Sequence, residues 1–402
     1  MARRTRRRGA RSRLGIALAG GGPLGGIYEI GALAALADCL EGIDFNRLDV
    51  LVGVSSGAFI AAGLANGITP RDMSTMFIES DRAAEPFDPA LLLRPAYREI
   101  AGRVAAFPGI ALGALGRYVS GRDASLLASL QRLARVLPTG VFGGGGIDRT
   151  LARLFEREGR TNDFRKLARR LLIVATDLDS GAVVEFGAPG REHVPISTAV
   201  QASAALPGLF PPVAIDGKHY SDGALQKTMH ASVALEHGAD LVVCINPLVP
   251  FDAAGNDHRV VDGGLPAVLS QTFRTILQSR MQKGMALYAN EYPDRDLVLF
   301  QPERYDADLF FTNMFSYSSR RRLAEHAYQR TREELLRRRH KLAPVLARHG
   351  IGLREGALAD PQLHLVASDA LRRRRVDGRR VARRLSDSLD ELDQALAAYR
   401  PA

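Results

Sequence analysis

Apolar residues fill Leu14 to Ala19 and stop at three glycines, beyond which Ile27, Ile30, Leu33, Leu36 and Leu40 recur at helical spacing. This pattern predicts a strand, a glycine turn and a helix over Gly26 to Leu40. It repeats at once. Asp49 to Val54 (DVLVGV) reads as a second buried strand, Ser55-Ser56-Gly57 follows without a spacer, and a small-residue helix is expected from Ala58 to Asn66. Further strands are predicted at Leu171 to Thr176 and Ala182 to Phe186, around an Asp179-Ser180-Gly181 turn, then at Val213 to Tyr220 and Leu241 to Ile245.

The stretch from about Ala83 to Gly146 breaks this rhythm with Pro86, Pro89, Pro95, Pro108, Pro138 and the run Gly143 to Gly146. Its helical segments carry no strand, so it reads as an insertion, a candidate lid. After Pro250 the chain is mostly helical and rich in arginine, with one more strand candidate at Leu297 to Phe300. A long helix opens at Arg320-Arg321-Arg322 and is expected to stop near Leu342, because Pro344 cannot continue it. A last helix, from Val381 through Leu385, Leu389, Leu392 and Leu396, carries one narrow apolar stripe. It spans fewer than three heptads, too few for an independent coiled coil. It either packs on its own domain or serves a homodimer or a membrane-facing stripe. The division expected is a disordered Arg-rich tail over 1–13, a catalytic domain over 14–250, and a mostly helical extension over 251–402.

Composition narrows the class. A chain of 402 residues with 46% hydrophobic and 24% charged positions buries a substantial core without disulfides or metals. No window reaches 18 uninterrupted apolar residues, and Glu29 interrupts the apolar region nearest the start, so any membrane contact is expected to be peripheral. Cys39 and Cys244 read as buried thiols of a reducing, cytoplasmic compartment. The formal charge is +10, and seven arginines within the first thirteen residues supply most of it. Such a tail either binds an anionic surface or is merely solvated. The run is no signal peptide by this reading, since its apolar stretch is short and ends in Gly20-Gly21-Gly22 instead of a cleavage site.

Three places carry candidate chemistry. Gly53-Val54-Ser55-Ser56-Gly57 fits G-x-S-x-G at a strand-to-helix junction, where a strained turn projects a serine hydroxyl into a cleft and a helix N-terminus favours negative charge. The bland alternative is that Ser55 or Ser56 caps the helix. Gly20-Gly21-Gly22-Pro23-Leu24-Gly25 also satisfies G-x-G-x-x-G, but the acidic residue that a dinucleotide site needs after the second strand is missing, its place taken by Gly53 to Gly57. Bare glycines at a helix start suit an oxyanion or a phosphate equally. Asp222, in Tyr220-Ser221-Asp222-Gly223-Ala224, is either a carboxylate facing the same cleft or an exposed Asp-Gly turn. His193, His219, His230 and His237 are alternative bases, none in a recognisable setting.

These motifs, with Ala202-Ser203-Ala204-Ala205-Leu206-Pro207-Gly208-Leu209-Phe210-Pro211-Pro212 between them, resemble in order those of the patatin-like phospholipases over roughly Leu14 to Pro250. The resemblance implies an α/β fold, a three-layer sandwich with a central, mostly parallel sheet, here with a helical insertion and a helical C-terminal extension. It implies a Ser55–Asp222 dyad that hydrolyses acyl esters of phospholipids or related lipids without a histidine. Gly20, Gly21 and Gly22 would form the oxyanion hole and Gly53 and Gly57 the elbow, with no cofactor and no metal. The family usually places Arg or Lys where this chain has Leu24, which removes a positive charge near the site. The competing readings are an α/β-hydrolase with a Ser-Asp-His triad and a lipid-binding scaffold without turnover. Nucleic-acid binding through the Arg-rich termini lacks any accompanying aromatic or helix-turn-helix signal.

Overall fold

The computed structural model describes residues 11–79, 139–143, 145–254, 259–306, 310 and 317–366. The first ten residues, nearly all of the candidate lid and the apolar stripe of 381–396 lie outside them. An eight-stranded sheet forms from β1 (Leu14–Leu18), β3 (Val50–Val54), β4 (Arg170–Asp177), β5 (Val183–Phe186), β6 (Val213–Ile215), β7 (Lys218–Asp222), β8 (Leu241–Ile245) and β9 (Asp296–Phe300). A short β2 (Leu40–Glu41) pairs separately with β10 (Gly352–Leu353). β4, β3, β1, β8 and β9 run parallel, and β5, β6 and β7 add antiparallel pairs.

The central strands are apolar without alternation because helices cover both faces. Ile16, Leu18, Leu51, Ile173 and Val243 face a layer formed by α1 (Gly22–Cys39), α2 (Ser56–Ala65), α3 (Gly145–Phe155), α4 (Ile196–Ser203) and α7 (Tyr317–Ala347). Ala17, Val50, Val52, Val174, Val242 and Cys244 face α5 (Ala231–Glu236) and α6 (Gly264–Glu291). The result is a three-layer α/β sandwich. Segments beyond residue 250 complete it, since β9 closes the parallel edge and α7 lies along α1 so closely that Gly31 meets the Ala324 carbonyl.

Two local expectations need correction. The strand anticipated over Val213 to Tyr220 is a hairpin, broken at Asp216-Gly217, where both residues take positive φ (51° and 76°) as a two-residue turn of this hand requires. α7 continues through Pro344 to Ala347, because Leu342 and Leu346 on either side are buried in the core and their packing outweighs one lost backbone bond. α3 opens at Gly145, where the expected insertion ends.

The register of β4 brings two distant segments together. Arg170 to Val174 pair with Val50 to Val54, while Ala175 to Asp177 pair with Asp222 to Tyr220. β5 occupies the opposite edge of β4, pairing with Ile173 to Thr176. β3 and β7 therefore share one edge and meet head-on between Val174 and Ala175. The residue after Val54 is Ser55, and the last residue of β7 is Asp222.

Candidate active site

Ser55 joins β3 to α2 with φ 54° and ψ −120°, a conformation that costs an L-residue roughly 1–3 kcal/mol. Its neighbours explain how the chain adopts it. A Cβ on Gly53 would stand 2.5 Å from the Ala58 Cα and the Gly57 oxygen, and one on Gly57 would stand 2.5 Å from the carbonyl oxygens of Leu18 and Ala19. The two glycines are what let strand, turn and helix approach. The Gly57 N–H donates to the Ala19 carbonyl at 3.1 Å, which ties the elbow to the end of β1. The Ser55 N–H donates to the Ser203 hydroxyl at 2.8 Å, which passes on to the Val174 carbonyl at 2.6 Å. Ser55 makes no side-chain capping bond to α2, so it does not act as a helix cap.

Asp222 is buried, not an exposed turn. Its N–H donates to the Ala205 carbonyl at 3.0 Å, its carbonyl accepts from the Thr176 hydroxyl at 3.1 Å, and its Oδ1 accepts the Ala224 N–H at 2.8 Å. Burial raises its pKa to about 6, against the downward pull of the Ala224 N–H and the hydrogen bond from the Ser55 side chain. A carboxylate tuned in this way takes protons near neutral pH. The Ala202 to Pro212 segment holds both halves of the junction, Ser203 under the elbow and Ala205 under Asp222. Nothing in the local sequence pattern assigned either role.

The glycine loop completes the arrangement. A Cβ on Gly20 would lie 2.9 Å from the Ser55 Cβ and 3.5 Å from its Oγ, so the loop runs against the serine side chain. Gly21 caps α1 and is pressed between Gly25 and Pro247, while Gly22 takes φ 60° in open space. The first-turn N–H groups of an 18-residue helix have no intrahelical acceptor and carry its positive end, which favours developing negative charge beside Ser55. Leu24 packs against the core.

The histidines are elsewhere or otherwise engaged. His193 pairs with exposed Asp216, His237 with Glu185, and His219 is exposed. His230, another of the four alternative bases, is the first of them in the chain after the Asp222-Gly223 turn. It is buried with φ 48°, and its Nε2 donates to the Gly223 carbonyl at 3.1 Å. Desolvation lowers its pKa to about 4, so it is neutral and braces the loop after Asp222. Glu29 is fully buried in α1 with both carboxyl oxygens unpartnered, and the nearby Ala19 N–H is committed to the Ile245 carbonyl. Burial pushes its pKa well up. Cys39 and Cys244 are buried and free, and desolvation carries the Cys244 thiol to about 12.

Among the described residues no group of three His, Cys, Asp or Glu side chains could hold a metal ion, and no helix is long and apolar enough to cross a membrane. Two large clefts lie away from the junction. One of about 610 Å³ lies between Tyr28, the 301–306 loop and α7, where acidic and basic side chains neutralise one another. The other, about 480 Å³, separates residues 226–231 from α6.

A model of the patatin-like phospholipase family matches residues 16–235, from β1 into α5. Among solved structures, the chain is similar to VipD from Legionella pneumophila, with 18% identity and a TM-score of 0.40 over 81% of this chain and 67% of that one. It is also similar to the type III effector protein ExoU of Pseudomonas aeruginosa, with 17% identity and a TM-score of 0.32 over 82% of this chain and 53% of that one.

Proposed function

Because the chain belongs to the patatin-like phospholipase family, we propose that it is a serine acyl hydrolase that cleaves fatty-acyl ester bonds of phospholipids or related lipids. Ser55 Oγ attacks the acyl carbonyl while Asp222 accepts its proton. Backbone N–H groups of Gly20, Gly21 and Gly22 stabilise the tetrahedral oxyanion, and the alcohol leaves with the proton returned by Asp222. Water, deprotonated by the same carboxylate, then attacks the acyl-enzyme, and the fatty acid leaves as Asp222 returns that proton to Ser55 Oγ. The observation that carries this reading is the head-on meeting of β3 and β7, which sets a strained serine beside a buried carboxylate with a pKa of about 6. His230 makes its bond to a backbone carbonyl, which favours a dyad over a Ser-Asp-His triad.

The test combines labelling and kinetics. A fluorophosphonate probe should modify Ser55 in the wild type and nothing in Ser55→Ala. Ser55→Ala should also lose at least ~10³-fold in hydrolysis of a p-nitrophenyl acyl ester, with its melting temperature retained. Full turnover by Ser55→Ala, or loss in Ser56→Ala instead, would refute the assignment. A wild type that takes no label and cleaves no acyl ester would favour a lipid-binding scaffold.

A further inference from the structure

α6 has two unlike sides. Leu265, Leu269, Phe273, Ile276, Arg280, Lys283 and Leu287 are spaced by four, four, three, four, three and four residues, which aligns them in one stripe, and all seven are exposed. Leu265 is 70% accessible, Leu287 55% and Leu269 48%, and Val261 just ahead of the helix is 66% accessible. Apolar side chains on one line of a helix at this exposure need an occupant.

The opposite side is fastened to the loops that build the candidate active site. The Arg274 guanidinium donates to the carbonyls of Pro247 and Val249, at 3.3 and 3.1 Å, and Pro247 itself packs against Gly21 and Gly25 of the glycine loop. Asn246 donates to the Met281 sulfur at 3.2 Å, and the Thr228 hydroxyl donates to the Leu277 carbonyl at 3.3 Å. Arg280, although on the outward stripe, turns its long side chain back along the helix flank to the Leu225 carbonyl at 2.9 Å, three residues past Asp222. The helix thus spans the loops after β7 and β8. Its exposed stripe lies about one helix thickness, ~10 Å, from them.

Charge identifies the occupant. From Gly264 to Glu291 the one acidic residue of the helix is its last, Glu291, while Arg280 and Lys283 continue the apolar stripe toward its C-terminal end. The cleft of about 480 Å³, lined by Met229, Met281, Met285 and Tyr288, opens at Lys283 and Leu287 on that stripe. We propose that the outward side of α6 is a docking face for an anionic lipid surface, seating a bilayer beside the Ser55–Asp222 junction. Leu265, Leu269, Phe273 and Ile276 enter the acyl boundary, and Lys283 meets a headgroup phosphate. This rests on the acyl-hydrolase reading for its purpose, and its binding step is independent of turnover.

The test uses the full chain and vesicles of phosphatidylcholine with 30 mol% phosphatidylglycerol, about that fraction being enough for an anionic surface potential. The combined variant Leu265→Ser, Leu269→Ser, Ile276→Ser should co-sediment at least ~10-fold more weakly than wild type, while hydrolysing soluble p-nitrophenyl butyrate at the wild-type rate. Lys283→Glu, which leaves the apolar residues in place, should weaken binding about fivefold at low salt and make no difference at high salt. Ser55→Ala should bind as wild type does. Wild-type binding by Lys283→Glu or by the triple variant overturns the docking face. So does a stable wild-type dimer that the triple variant dissolves, which would assign the stripe to a second copy of the chain. A wild type that binds vesicles through this stripe yet cleaves no acyl ester would sink the hydrolase reading and leave the docking face standing.

Discussion

Asp222→Asn should make the protein more stable while making it inactive. Burial moves the carboxyl from its ordinary 3.8 to about 6, so ionising Asp222 in the folded chain costs about 3 kcal/mol more than in the unfolded chain, at 1.36 kcal/mol per unit. The native state binds more protons than the unfolded state between about pH 4 and 6. Wild-type stability therefore falls as pH rises through that window and stays reduced above it. Asparagine keeps an oxygen for the Ala224 N–H and removes the charge, while its amide gains an imperfect partner in the Ser55 hydroxyl. A net gain of about 1–3 kcal/mol at pH 8 is expected, which in a chain of this size raises the melting temperature by roughly 1–4 °C. The gain should shrink toward zero at pH 4. In parallel, wild-type hydrolysis of p-nitrophenyl butyrate should show an acid limb near pH 6, and Asp222→Asn should lose at least ~10³-fold at pH 8. A variant melting at or below wild type at pH 8, or an increment identical at pH 4 and pH 8, would refute the buried-charge argument.

Other outcomes follow from the same geometry. Gly20→Ala should leave the fold intact but lower kcat/KM about 100-fold, because its Cβ would stand 2.9 Å from the Ser55 Cβ and must displace the serine. Gly57→Ala meets two backbone oxygens at 2.5 Å, which cannot yield, so urea denaturation should show a loss of about 3 kcal/mol or more. An unchanged midpoint would show that the elbow has room the geometry denies. Replacing His193, His219 or His237 by Ala should change kcat/KM by no more than about threefold. His230→Asn, which tolerates positive φ but is too short to keep the bond to the Gly223 carbonyl, should still keep measurable activity. A histidine change as damaging as Asp222→Asn would bring a triad back.

Leu24 packs against the core where the family resemblance leads to the expectation of a basic residue, so under the proposed mechanism the loop offers an oxyanion its backbone N–H groups and helix dipole but no side-chain cation at that position. In the proposed docking face the positive charge is instead on the exposed side of α6, at Lys283.

The strand-turn-helix units at Leu14 and Val50, the elbow at Ser55 and the glycine loop were legible in the sequence because each is specified by neighbours in the chain. Apolar runs make buried strands, and glycines allow turns and close approaches that side chains forbid. The Asp216-Gly217 hairpin was equally local, and its Asp-Gly signal lay hidden inside an apolar stretch read as one strand. Pro344 shows the reverse case, a strong local stop signal overruled by the burial of Leu342 and Leu346. Only the tertiary structure decided that Asp222 is buried, that Ser203 and Ala205 hold the two sides of the site, and that His230 grips a carbonyl instead of a carboxylate. Those facts depend on the register of β4, which pairs β3 along its first five residues and β7 along its last three. Ser55 and Asp222 are 167 residues apart in the chain. No local pattern encodes where two such segments end against each other, because that is set by how the whole sheet buries its two faces.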